Sequence, residues 1–175
     1  MKTTKTKEET KRSYYTPNAF EGVKYNPELS TKEIAKRIKK EFNKRYPKVK
    51  VSITSKYYSG GSSINIHLMK APFEAFKEPN AEEIPHHDKR VRGEEQLIKN
   101  WKRYKEDGHK QINHHHLDND YLLTKEAKEV LKTLTDLATC YNYDDSDAQR
   151  DYFDTNFYLH MRVGKYDRPF ENTSK

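Results

Sequence analysis

Val49-Lys50-Val51-Ser52-Ile53-Thr54-Ser55-Lys56-Tyr57-Tyr58-Ser59-Gly60-Gly61-Ser62-Ser63-Ile64-Asn65-Ile66-His67-Leu68 is the stretch from which the fold can be read. Val49, Val51 and Ile53 alternate with Lys50, Ser52 and Thr54, the period of two that gives a strand one buried face. Ser59-Gly60-Gly61-Ser62 breaks the alternation with a turn signal, because glycine reaches positive φ at little cost, and Ile64, Ile66 and Leu68 resume it at once. The stretch predicts an antiparallel hairpin.

Upstream, Leu29-Ser30-Thr31-Lys32-Glu33 has the form of a capping box, with Ser30 placed to receive a backbone amide and Glu33 three residues on to answer it. A helix is expected from there to about Tyr46. Ile34, Ile38, Phe42 and Tyr46 recur every four residues, while Lys32, Lys36, Arg37, Lys39, Lys40, Lys44 and Arg45 cover most of the remaining circumference. One stripe is apolar and the rest is cationic, and Pro47 stops the helix.

Downstream of the hairpin, residues 71 to about 120 carry Pro72, Pro79 and Pro85 and no sustained period, which reads as an irregular insertion. Within it, Leu97, Trp101 and Tyr104 mark one helical face over Glu94 to about Lys105, ended by Gly108. Thr124 then looks like an N-cap. Ala127, Val130, Leu131, Leu134, Ala138 and Tyr141 follow as the most persuasive amphipathic helix in the chain. Phe157, Leu159, Met161 and Val163 alternate with Tyr158, His160 and Arg162 before Gly164, which makes a third strand. The order α-β-β, insertion, α, α, β predicts an α+β fold: a small, mostly antiparallel sheet of three or more strands with helices packed on one face.

Composition sets the scale. The 175 residues suit one domain, read as a disordered basic arm over 1–17, a single α+β domain over 18–170 and a tail over 171–175. Hydrophobic residues make up 33% and charged residues 35%, with a mean hydropathy of −1.22, so the core must be thin and the 13 Tyr and seven Phe must supply much of it. Lys and Arg total 34 against 27 Asp and Glu, a formal charge of +7 that favours encounter with polyanions or with an acidic protein surface. Cys140 is the one cysteine, excludes an internal disulfide and falls on the apolar side of the last helix, where it reads as a buried small hydrophobe. With no apolar run of signal-peptide or membrane-spanning length, the expectation is a soluble, intracellular, cytoplasmic protein.

The candidate chemistry is sparse. His86-His87, His109 and His114-His115-His116, with Asp88, Asp118 and Asp120, raise a metal site, but adjacent residues diverge in direction and do not close one tetrahedral shell. Asp144, Asp145, Asp147, Asp151 and Asp154 lack the glycine and the distal glutamate of a calcium loop. Neither a nucleophile elbow nor a phosphate loop is present, so no catalytic residue, metal or cofactor is assigned and an enzyme is not expected. A metal-dependent hydrolase using these clusters is the weakest alternative.

The binding candidates are Lys36, Arg37, Lys40 and Lys44 on the first helix, Lys56, Tyr57 and Tyr58 on the hairpin, and Gly60 and Gly61 in its turn. Rings mixed with cations suit single-stranded nucleic acid and the centre of a protein interface alike.

Four pieces in order carry a resemblance: Lys32-Glu33-Ile34-Ala35-Lys36-Arg37-Ile38, Val49-Lys50-Val51-Ser52-Ile53, Tyr58-Ser59-Gly60-Gly61-Ser62-Ser63-Ile64-Asn65-Ile66 and Asp151-Tyr152-Phe153-Asp154-Thr155-Asn156-Phe157-Tyr158. Together, over roughly Leu29 to Tyr166, the chain resembles large polyvalent protein-associated domain 29, found in phages, plasmids and conjugative elements. The resemblance implies no catalytic residue set. Its setting implies conflict with host defences, so the first expectation is a phage or mobile-element protein that inhibits a host defence protein, such as a CRISPR or restriction nuclease, by protein contact. The alternative is a nucleic-acid-binding accessory protein contacting DNA or RNA.

Overall fold

The computed structural model describes residues 19–80, 82, 84, 93–147 and 151–174. The basic arm over 1–17 and the residues His86, His87 and Asp88 lie outside the described residues.

Helix α1 spans Thr31–Arg45 and starts on the expected capping box. The Ser30 hydroxyl accepts from the Glu33 amide at 3.3 Å and the Glu33 carboxylate accepts from the Ser30 amide at 3.0 Å, which satisfies two of the amides a helix start leaves open. Strands β2 (Lys50–Tyr58) and β3 (Gly61–Ala71) form the antiparallel hairpin, and a short strand β1 (Phe20–Glu21) precedes α1. Helix α2 covers Glu94–Asp107 and ends on Gly108 in the left-handed region at φ 56°. Helix α3 covers Lys125–Thr139, with the Thr124 hydroxyl accepting from the Ala127 amide at 3.2 Å. Strand β6 covers Tyr158–Val163.

The sheet has five strands and is mixed. β2 and β3 pair antiparallel, β6 runs parallel to β3 on its other edge, and β4 (Lys110–Ile112) pairs antiparallel with β6 beyond it. β7 (Glu171–Asn172) pairs parallel with Lys70 and Ala71, so β6 and β7 lie end to end along one edge of β3. Residues 171 and 172 therefore belong to the sheet and not to a tail, held by the Thr173 amide donating to the Ala71 carbonyl at 2.8 Å. The region 71–120 likewise contributes β4 and a 3-10 turn over His114–Asn119 besides α2. β5 (Tyr143–Asp144) pairs with β1 outside this sheet, and Asp144 also bridges to Thr155.

Register sorts the side chains. Val51, Ile53 and Ser55 face Leu68, Ile66 and Ile64, which face Val163, Met161 and Leu159 across the parallel ladder. This inward face meets Ile34, Ile38 and Phe42 of α1 and Val130, Leu131 and Leu134 of α3 in one hydrophobic core, in which Phe42 and Phe157 are fully buried. Burying one such side chain contributes about 1.5–3 kcal/mol. α1 and α3 lie antiparallel over the sheet, since Tyr46 near the end of α1 reaches Thr133 in mid-α3, whereas Glu41 earlier in α1 reaches Tyr141 beyond it. Cys140, expected to be buried, caps α3 and is only partly buried, packed against the edge of the core. Among the described residues no helix is long and apolar enough to cross a membrane.

Candidate functional site

The residues singled out from the sequence do not form one surface. Adjacent strand residues point to opposite faces, and Tyr57 and Tyr58 are divided in this way. Tyr57, opposite Ser62, lies on the helix side, where its hydroxyl accepts from the Lys32 amide at 3.1 Å in the first turn of α1. Tyr58, opposite Gly61, lies on the outward side together with Lys56.

Three of the four α1 cations, Arg37, Lys40 and Lys44, line a shallow groove with Glu41 and Tyr141. Lys36 is exposed outside that lining. Glu41 accepts from Lys24 at 2.6 Å and from the Tyr141 hydroxyl at 2.5 Å, and these hydrogen bonds, Lys24 first, hold its carboxyl below the ordinary range. The groove thus has cations but no exposed ring, since Tyr141 is buried.

At the hairpin end, Ser62 joins three segments. Its hydroxyl lies 2.7 Å from that of Thr31 and donates to the Asn156 carbonyl at 3.2 Å, so the Asp-Tyr-Phe-Asp segment leads directly into the turn of the hairpin. Asp154 accepts from Tyr143 at 3.4 Å and from Tyr152 at 3.3 Å. Burial, then the Asp154 charge, pushes Tyr143 up to about 12, and its ring stacks on Tyr25 with centroids 5.2 Å apart. Tyr152 and Phe153 remain 53% and 62% exposed, and Tyr57 is 57% exposed at the same end. Exposed rings of this kind are the residues from which interface centres are built.

The outward face of the sheet holds residues that the sequence reading did not assign. By register it carries Ser52, Thr54, Lys56 and Tyr58 from β2, Gly61, Ser63, Asn65 and His67 from β3, Tyr158, His160 and Arg162 from β6, and Gln111 from β4. The signal was the alternation itself, which puts Lys56 and Tyr58 out of phase with Val51 and Ile53, and Tyr158, His160 and Arg162 out of phase with Leu159 and Met161. Tyr58, Tyr158, His160 and Arg162 are exposed. The Tyr158 ring passes close enough to Gly61 that a Cβ there would meet it at 3.8 Å, and burial followed by the neighbouring Tyr158 raises the pKa of Tyr58.

A cleft of about 410 Å³ opens beside Tyr158–His160 of β6, past the end of β4, and His114, His115, Thr135, Asn142 and Phe20 contribute to its walls. His114 is held at about 4, first by burial and then by His115 and His160. Among the described residues no group of three or more His, Cys, Asp or Glu is arranged to hold a metal ion. Asp144, from the acidic run, accepts from the Ser146 amide at 2.9 Å, the behaviour of a turn residue.

The family model for large polyvalent protein associated domain 29 matches residues 29–127, more than half of the chain, from the residue before the Ser30 cap through the hairpin, α2 and β4 to the first turn of α3. The chain belongs to that family. Membership in the domain-29 family makes it a protein associated with phages or mobile elements. The match ends at Ala127, so the Asp151–Tyr158 part of the resemblance lies outside it. The outward sheet face is consequently composite, with Lys56, Tyr58 and Gly61 from the family segment and Tyr158, His160 and Arg162 from beyond it. No curated protein and no solved structure matches the chain.

Proposed function

We propose that this domain-29 protein is a non-enzymatic binding protein that counteracts a host defence protein, such as a CRISPR or restriction nuclease, by direct contact in the host cytoplasm, with no cofactor. The observation that carries the reading is the exposure of Tyr57, Tyr152 and Phe153, which has a cost in water that a partner would relieve. The engagement of Asp144 and Asp154 in local hydrogen bonds supports a structural rather than a chemical use of the acidic run. The family's association with phages and mobile elements supports the choice of partner class.

The test is capture from host lysate followed by reconstitution with the purified partner. A stoichiometric defence protein should bind the native chain and lose about tenfold or more in affinity when Tyr152→Ala and Phe153→Ala are combined, the range expected of interface centres. Recovery of nucleic acid alone, or a partner indifferent to both rings, overturns the reading.

A further inference from the structure

The outward face of the sheet combines exposed rings and cations with no carboxylate at its ladder positions. The strands β2, β3, β6 and β4 place Ser52, Thr54, Lys56, Tyr58, Gly61, Ser63, Asn65, His67, Tyr158, His160, Arg162 and Gln111 there, and none of these is acidic although the chain carries 27 Asp and Glu. Carboxylates instead occupy the α1 groove, through Glu41, and the aromatic end, through Asp154. Among its described residues, Lys56, Tyr58, Tyr158, His160 and Arg162 are exposed, Asn65 and His67 are partly buried and Ser63 is buried.

The arrangement of the rings has its own chemistry. Tyr58 sits opposite Gly61, and Tyr158 sits beside Ser63 on the far strand, so two tyrosines flank a residue that has no side chain. Gly61, at φ 136°, carries no side chain, and the Tyr158 ring passes within 3.8 Å of where its Cβ would stand. Lys56 lies two residues from Tyr58 on one strand and Arg162 four from Tyr158 on the other, which places a cation along each line of rings. His160 and Asn65, paired across the ladder, add ring nitrogens and an amide between them.

We propose that this face binds single-stranded nucleic acid, with bases stacking on Tyr58 and Tyr158 and phosphates meeting Lys56 and Arg162. Stacking tolerates any base because each has a π face, and phosphates require cations without competing carboxylates, so the surface recognises a chemical class rather than a sequence. A single strand is favoured over a duplex because only unpaired bases offer their faces. The inference is separate from the protein contact proposed above, which uses Tyr152 and Phe153 at the end of the molecule.

The experiment uses the full chain and a fluorescein-labelled oligothymidylate of about 15 nucleotides, with an RNA oligonucleotide and a blunt duplex beside it, titrated from about 50 mM salt upward. Binding to the single strands should exceed binding to the duplex. Tyr58→Ala with Tyr158→Ala should weaken it about tenfold or more, and Lys56→Glu with Arg162→Glu should reduce the salt slope by about 1.4, because each phosphate contact on a single strand contributes about 0.7. Lys40→Glu with Lys44→Glu on α1 should change affinity less than the Lys56 and Arg162 pair does. All these side chains are exposed, so unchanged melting temperatures confirm that the variants fold. The proposal is overturned by no binding at about 50 mM salt, by equal or tighter binding to the duplex, or by a loss that follows the α1 reversals and not the sheet-face ones. It is also overturned if Lys56→Glu with Arg162→Glu abolishes capture of a protein partner while oligonucleotide binding persists.

Discussion

The two faces of β3 come from the same six residues, Ser63 to Leu68, and stand in contrasting surroundings. Inward, Ile64, Ile66 and Leu68 are fully buried beneath α1 and α3, whereas outward Asn65 and His67 are partly buried and Ser63 is buried beside the exposed Lys56 and Tyr158. In a chain of only 33% hydrophobic residues, one face of the sheet carries the core, and the other is the face proposed above to bind a single strand. Stability and binding should therefore separate cleanly by residue parity.

The sharpest way to break this comparison is on the inward side. Leu68→Ala is expected to cost about 2–5 kcal/mol by urea unfolding, because the cavity it leaves is closed in by Val51 and Val163. A loss under about 1 kcal/mol would mean that the helix layer is loosely packed. Gly164→Ala should cost at least about 2 kcal/mol, since the residue has φ 62° and a Cβ would run into the Gly108 carbonyl and the Phe170 amide where the chain leaves β6. Both variants should unfold at lower urea without changing affinity for an oligonucleotide in the folded fraction.

Acid titration sharpens the comparison at its intermediate positions. His67, half-buried on the outward face, and His114, in the cleft, are both held below the ordinary imidazole value, chiefly by burial, and His114 lies at about 4. The unfolded chain takes up these protons at higher pH than the native one, so stability is complete above about pH 6.5 and declines as pH falls towards 4. Melting temperatures measured from pH 7.5 to 4.5 should show this decline, and His114→Gln should flatten it. A melting temperature that rises on acidification would contradict the burial of both rings. Smaller still, Ser30→Ala should cost about 1 kcal/mol through loss of the α1 cap. Arg162→Ala, on the outward face, should stay within about 0.5 kcal/mol of the native chain.

The legible parts of the fold were those whose signal is local. The Ser30 and Thr124 caps, the four-residue spacing from Ile34 to Phe42 and the alternation on both sides of Gly60-Gly61 each act within a few residues, and each element formed where its pattern lies. β4 was not legible because Lys110-Gln111-Ile112 holds one apolar residue, and β7 because Glu171-Asn172 holds none; both are strands only through their neighbours β6 and β3. That β6 runs parallel to β3 is likewise a property of the crossover and leaves no trace in the alternation of Leu159, Met161 and Val163. The candidate site was half legible. Lys56 and Tyr58 were singled out, but grouping them with Tyr57 and the α1 cations ignored the alternation that sends Tyr57 to the helix side.

The end-to-end placement of β6 and β7 along β3 also bears on how the protein is made. Leu68 is hydrogen-bonded in register with Val163, which is translated 95 residues later (163 − 68), so at about 5–20 residues per second the nascent hairpin waits roughly 5–20 s with its inner edge unpaired. During that interval the apolar row of Ile64, Ile66 and Leu68 is a target for chaperones and for other nascent chains until the residues of β6 are synthesised.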